Sequence, residues 1–191
     1  MKTKHIITIL AFLALSLSVT LLQAQPRPHN RAHNVRHDSR HIEKHKPHHR
    51  YRTLPHWGYK YKAVPRGAYV LRYSGVNYYY HSGVYYQPYG DSFIIVRAPL
   101  GVRVRHLPDG TIHFVIGGRR YFYYYGTYYV RSVNDDYITV APPKGAIVDA
   151  LPDGYKKVII DDNTYYEFEG TYYKAFLDEN GKVLFEVIGV N

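Results

Sequence analysis

One pattern written three times constrains this chain of 191 residues more than any other feature. The turn VPRG at Val64–Gly67 returns as LPDG at Leu107–Gly110 and again at Leu151–Gly154. A tyrosine block runs YYYHSGVYY from Tyr78, YFYYYGTYY from Tyr121 and YYEFEGTYY from Tyr165. Its central glycines, Gly83, Gly126 and Gly170, are 43 and 44 residues apart, as are Pro65, Pro108 and Pro152. A third landmark pairs APLG at Ala98–Gly101 with APPKG at Ala141–Gly145 and is missing from the last copy. A fixed period of this length marks a supersecondary unit that packs on its own copies. The divisions read from it are about 64–106, 107–150 and 151–191.

Each copy opens on Pro-x-Gly, a tight-turn signal because Pro fixes φ and Gly accepts positive φ. A β-branched stretch follows, such as Thr111 to Ile116 or Lys156 to Ile160, and then a small turn: Ser74-Gly75, Gly117-Gly118 or Asp161-Asp162-Asn163. Such pairs between β-rich runs predict hairpins. The tyrosine block then reads as one return strand with its glycine at a bulge or bend. A last strand covers Phe93 to Val96, Tyr137 to Val140 and Val183 to Val187. No stretch beyond the first 24 residues keeps a helical period. The expected class is all-β, a compact antiparallel domain of three tandem repeats of about 43 residues over 57–191.

Alternation along the return strand puts Tyr79, Phe122 and Tyr166 on one face with His81, Tyr124 and Phe168. Tyr80, Tyr123 and Glu167 share the other with Ser82, Tyr125 and Glu169, and the acids there predict that this second face is wet. The doublets Tyr85-Tyr86, Tyr128-Tyr129 and Tyr172-Tyr173 are phenolic in every copy. One member of each should pack and one point outward; the outward set is read as Tyr86, Tyr129 and Tyr173, three exposed rings on which a repetitive polymer can stack.

The chain begins with Lys2 and Lys4, an apolar run from Ile6 to Leu22, and Gln23-Ala24-Gln25. This predicts a secretory signal peptide over 1–24, leaving no membrane-spanning segment once removed. From Gln25 to Arg66 there are 11 Lys and Arg against 2 acids, whereas Gly67 to Asn191 holds 12 against 13. The cationic excess therefore sits in a segment over 25–56 with Val35, Ile42 and Leu54 as its only aliphatic residues larger than Ala. That composition predicts a disordered basic tail.

An export signal, a His- and Arg-rich spacer, LPDG turns, YYYYGTYY blocks and the string APPKGAIVDALPDGY resemble an uncharacterised bacterial envelope family, domain of unknown function 6515. The resemblance covers Trp57 to Asn191. It implies the cell envelope, at the periplasm or outer surface of a bacterium, and carries no catalytic residue or ligand.

His29, His33, His37, His41, His45 and His49 recur at every fourth position of the tail. On a helix this step places neighbouring imidazoles on one face, where two can share Zn²⁺, Ni²⁺ or Cu²⁺. The step drifts ~40° each time, so at most two or three can meet one ion. Tetrapeptide slippage of units such as HNRA and HNVR accounts for the same spacing, and flanking Arg and Lys oppose a cation.

With no cysteine in the chain, disulfides, thiolate metal sites and a thiol nucleophile are excluded. No Gly-x-Ser-x-Gly and no phosphate loop occurs, and Asp135-Asp136 and Asp161-Asp162 read as turn formers. The expectation is no enzyme, no catalytic residue and no resident cofactor. A nearly neutral repeat region argues against nucleic acid. The remaining partners are an envelope polymer, peptidoglycan or polysaccharide, or an envelope protein. The leading reading is a non-enzymatic envelope binding or structural protein; the alternatives are a periplasmic metal binder using the His tail and a self-associating matrix component with open strand edges.

Overall fold

The computed structural model describes residues 51–190. The three copies are three antiparallel sheets of five strands each, and no helix occurs among the described residues. The first sheet holds β1 (Lys60–Tyr61), β2 (Tyr69–Tyr73), β3 (Val76–His81), β4 (Val84–Tyr89) and β5 (Ser92–Val96). The second holds β6 (Arg103–Val104), β7 (Ile112–Ile116), β8 (Arg119–Tyr124), β9 (Thr127–Arg131) and β10 (Tyr137–Val140). The third holds β11 (Ile147–Val148), β12 (Lys156–Ile160), β13 (Asn163–Phe168), β14 (Thr171–Leu177) and β15 (Val183–Val190). In each, four strands form a meander whose last member also pairs with the short opening strand, giving the order β1-β5-β4-β3-β2 and its two equivalents. The short strand before each Pro-x-Gly turn therefore belongs to the sheet that follows it, and the sheets begin a few residues ahead of the divisions at 64, 107 and 151.

Two consecutive positive φ angles close each tight hairpin, at Ser74-Gly75, Gly117-Gly118 and Asp161-Asp162, as the right-handed twist of the flanking strands requires. The same geometry recurs at Ser82-Gly83, Tyr125-Gly126 and Glu169-Gly170. This corrects the reading of the tyrosine block as one strand with a bulge. The central glycine is the second residue of a two-residue turn, and the block is a hairpin, β3–β4, β8–β9 or β13–β14.

A second correction follows. Tyr80, Tyr123 and Tyr125 are buried, so the face expected to be wet is so only at Ser82 in the first sheet and in the third, where Glu169 is exposed and Glu167 half-buried. In the first two sheets that face lies against the next sheet. The Tyr80 hydroxyl donates to the carbonyl of His106 at 3.1 Å, and the Tyr123 hydroxyl to that of Ala150 at 2.8 Å. Glutamates occupy the tyrosine positions in the copy with no further sheet after it among the described residues, as a polar end suits a short array.

Residues 51–56, the end of the segment expected to be disordered, are packed. Tyr51 is buried, and its ring meets those of Tyr124 and Tyr125 edge-on at 5.7 and 5.1 Å. The Tyr125 N–H donates to the Tyr51 hydroxyl at 3.2 Å, and the Tyr125 hydroxyl donates to the carbonyl of Pro55. Counting only aliphatic residues missed Tyr51, whose ring supplies the apolar area that anchors the segment. Residues 25–50 of that tail lie outside the described residues.

Candidate functional site

The expected stacking platforms are core residues. Tyr86, Tyr129 and Tyr173 are 2 %, 0 % and 0 % exposed, so none offers a ring face to a ligand. Their doublet neighbours Tyr85 and Tyr128 are buried as well. Parity failed because both members of the doublet are buried in β4 and in β9, and in β9 each of them meets a different neighbouring sheet. The Tyr85 and Tyr129 hydroxyls lie 3.2 Å apart, and the Tyr128 hydroxyl donates to that of Tyr173 at 3.3 Å. Burial pushes the Tyr86 and Tyr173 phenols up to about 12 and those of Tyr85 and Tyr128 well above their ordinary value. The histidines His29, His33, His37, His41, His45 and His49 lie outside the described residues. Among the described residues no three His, Asp or Glu side chains are placed to hold a metal ion.

A different constellation forms where the edge of the first sheet meets the opening of the second. Strand β2 and the stretch from β6 to His106 line a cleft of about 560 Å³. Tyr69, 43 % exposed, stands on one wall with Val70 and Leu71 beside it. The opposite wall is the run Arg103, Val104, Arg105, His106, with Asp136 at its end. Val104 is buried and fixes this run to the core. Alternation then turns Arg103 and Arg105 outward, and the hydrogen bond from Tyr80 to His106 holds the far end.

The two arginines differ in electrostatic state. Arg103 Nη1 donates to Asp136 Oδ1 at 3.0 Å, Asp136 Oδ2 at 3.2 Å and Ser132 Oγ at 2.9 Å, so its charge is met within the protein. Arg105 is exposed beside Tyr69. Burial raises the Tyr69 phenol, and the backbone and charge of Arg105 oppose that rise. The Tyr69 ring is supported from behind by Tyr80 at 5.2 Å, and Tyr80 by Tyr85 at 5.0 Å. A fixed phenol ring, a short apolar strip and a guanidinium fork can together receive a sugar-like ring that carries a carboxylate or phosphate.

The second junction has the same backbone plan with other side chains. Register places Ile112 where the first sheet has Tyr69, each opposite its buried tyrosine. Asp149 and Ala150 stand where the first junction has Arg105 and His106, and Lys182 Nζ approaches Asp149 Oδ2 at 3.4 Å. Sequence reasoning missed this contrast, although VRVRHLPDG set against AIVDALPDG carries it in the letters: two arginines and a histidine in one copy meet Ile, Asp and Ala in the other.

The pattern of a family of unknown function, DUF6515, matches residues 18–191. The chain belongs to that family. The DUF6515 match extends well before Trp57, so it takes in the whole basic tail over 25–56 as well as the three sheets. Comparison of this DUF6515 chain with curated proteins finds no match, and comparison with solved structures finds none.

Proposed function

We propose that this DUF6515 protein is an exported, envelope-associated binding and structural protein without catalytic chemistry, and that the cleft of the first junction takes an anionic envelope polymer. The observation that carries this reading is the pairing of the half-exposed Tyr69 ring with the exposed Arg105 across one cleft, a combination the equivalent junction replaces by Ile112 and Asp149. The leader over 1–24 supports export, and the 11-to-2 basic excess over 25–66 supports an anionic partner that the tail meets first and the cleft then orients. Cosedimentation with purified peptidoglycan and with an acidic envelope polysaccharide tests it. Tyr69→Ala combined with Arg105→Ala should weaken binding about thirty-fold or more in a chain that stays folded, since ring stacking and one charge-assisted pair each contribute on the order of 1–2 kcal/mol. A folded double variant that sediments like its parent would remove the cleft from the account, and a parallel deletion of residues 25–50 reads the tail separately.

A second reading, metal capture in the periplasm, is supported by the every-fourth-residue spacing of His29 to His49. A peptide over 28–50 should then bind Zn²⁺, Ni²⁺ or Cu²⁺ and release it as pH falls through about 6.5, where imidazole takes up its proton. In the full chain, replacing His33 and His37 together should weaken binding more than replacing His81 and His113; equal effects, or affinity no better than millimolar for the peptide, leave slippage as the account of the spacing.

A further inference from the structure

The cleft of the first junction is charged unevenly along its length. Arg103 and Arg105 stand two residues apart on one extended run, with their Cα atoms about 7 Å from each other, and both line the cleft. Only Arg105 presents an unmet charge, since no carboxylate is paired with it among the described residues. Arg103 gives its Nη1 to both carboxylate oxygens of Asp136, at 3.0 and 3.2 Å, and to Ser132 Oγ at 2.9 Å, so the charges at that end sum to zero. Asp135, the other acid of the loop, is met by Arg131 at 3.1 Å. Asp136 itself lines the cleft, and its side chain keeps 20 % of its surface exposed.

The ion pair comes and goes together with the rest of the site. Register puts Ile147 where the first junction has Arg103 and Leu184 where it has Asp136, so the second junction exchanges the pair for two apolar side chains, just as it exchanges Tyr69 and Arg105 for Ile112 and Asp149. A salt bridge this exposed adds little to stability. It does decide what a ligand meets. A carboxylate held at Arg105 would place the next unit of its polymer at the Arg103–Asp136 end. A second carboxylate there faces the charge of Asp136, whereas a neutral sugar finds the remaining N–H groups of the half-exposed Arg103 as donors and Asp136 as an acceptor. The volume of about 560 Å³ suits a ligand of more than one ring better than an isolated anion.

We infer that Asp136 is a specificity-determining residue of this cleft: by closing Arg103 it makes the site select a polysaccharide with an acid on every second sugar over one with an acid on every sugar. The inference rests on the proposed binding of an anionic polymer at the first junction and narrows that polymer to a class.

Titration of the full chain with two carboxylated oligosaccharides of equal length tests it: a hyaluronan fragment, acidic on alternate sugars, and an oligogalacturonate, acidic on all of them. Binding is followed at the backbone amide resonances of Tyr69 and Arg105, which report the cleft, and the basic tail is the same in every variant. The parent should bind the hyaluronan fragment at least as tightly as the more densely charged galacturonate. Asp136→Asn keeps the shape of the side chain and an acceptor oxygen for Arg103, and should move the ratio of the two affinities about fivefold toward the galacturonate, the scale of one surface charge contact. Arg103→Gln leaves the Asp136 carboxylate unopposed and should move the ratio the other way. Asp161→Asn makes the same change in net charge at an exposed turn of the third sheet and should keep the parent ratio. A parent that favours the galacturonate, or a folded Asp136→Asn chain with the parent ratio, would overturn the role of Asp136 while leaving the cleft as a polymer site. Resonances of Tyr69 and Arg105 that neither fragment moves would overturn the cleft reading and this inference together.

Discussion

The hydroxyls of Tyr85 and Tyr129 meet 3.2 Å apart, 44 residues distant in sequence, and join the first sheet to the second. Tyr128 and Tyr173 repeat the relationship between the second sheet and the third at 3.3 Å. Tyr129 and Tyr173 are homologous positions, so the same phenol receives the neighbouring sheet at both junctions. The doublet is thus a packing device: in the second sheet Tyr129 reaches back to the first sheet and Tyr128 forward to the third.

Removing one bridge should be graded by what is lost. Tyr129→Phe deletes a buried hydrogen bond and leaves the Tyr85 hydroxyl short of a partner, about 1–3 kcal/mol. Tyr129→Ala also empties the volume of the ring, about 3–5 kcal/mol, and the triple change to Ala at Tyr86, Tyr129 and Tyr173 should not fold. Urea titration followed by near-ultraviolet circular dichroism reads all three. A triple variant with a cooperative transition near that of the parent would contradict the burial of these rings.

Two glycines with nearly the same backbone angle should respond differently to alanine. Gly75 and Gly83 have φ of 77° and 83°. A Cβ at Gly75 meets nothing within 4 Å, so Gly75→Ala should cost only the local strain of about 1 kcal/mol. At Gly83 the same atom would collide with the Tyr124 ring and lie 2.8 Å from Pro108 Cγ, both in the second sheet. Gly83→Ala should therefore lower the melting midpoint several-fold more than Gly75→Ala, by forcing the first two sheets apart. Equal losses would show that strain alone decides.

Alkali should unfold the domain steeply. The Tyr86 and Tyr173 phenols, held up at about 12 by burial, bind their protons more tightly in the folded chain than in the unfolded one, where the value is about 10. Stability from this source is complete below pH 10 and falls as pH rises from there toward 12, by about 1.4 kcal/mol per pH unit for each phenol still protonated when folded. Phenolate absorbance near 295 nm should thus rise in two stages: exposed tyrosines near 10, and the buried set together with loss of tertiary circular dichroism. A single smooth titration with structure retained past pH 12 would count against it.

What the sequence disclosed and what it hid divide along physical lines. Gly117-Gly118 announces its hairpin because glycine alone takes both positive φ values without strain, and the three-fold period follows from such landmarks. Tyr125-Gly126 hides an identical turn, since a tyrosine at φ 44° is not expected there; it is held by the burial of its ring and its bond to Pro55. Alternation sorts a strand with one wet face, and it sorted the acids of the third sheet correctly. It could not sort β9, where Thr127, Tyr128, Tyr129 and Val130 are buried in succession by two different neighbours. The cleft was hidden for another reason: Arg105 and Tyr69 belong to different copies, and only the docking of one sheet edge on the next brings them together.

The packing of Tyr51 to Trp57 has a consequence for how the domain is made. These residues leave the ribosome before any of the sheets, yet Tyr51 is bonded to Tyr125, 74 positions later, His56 pairs with Asp153 at 3.2 Å, and the Trp57 ring meets that of Phe168 edge-on at 5.1 Å. Each hairpin can form from local contacts as it emerges, whereas the contacts of the lead-in with Tyr125, Asp153 and Phe168 wait until the second and third sheets are in place. The first part of the folded domain to be synthesised is the last to be locked, and a chain interrupted after β10 would keep its hairpins but lack the surface that closes over Trp57.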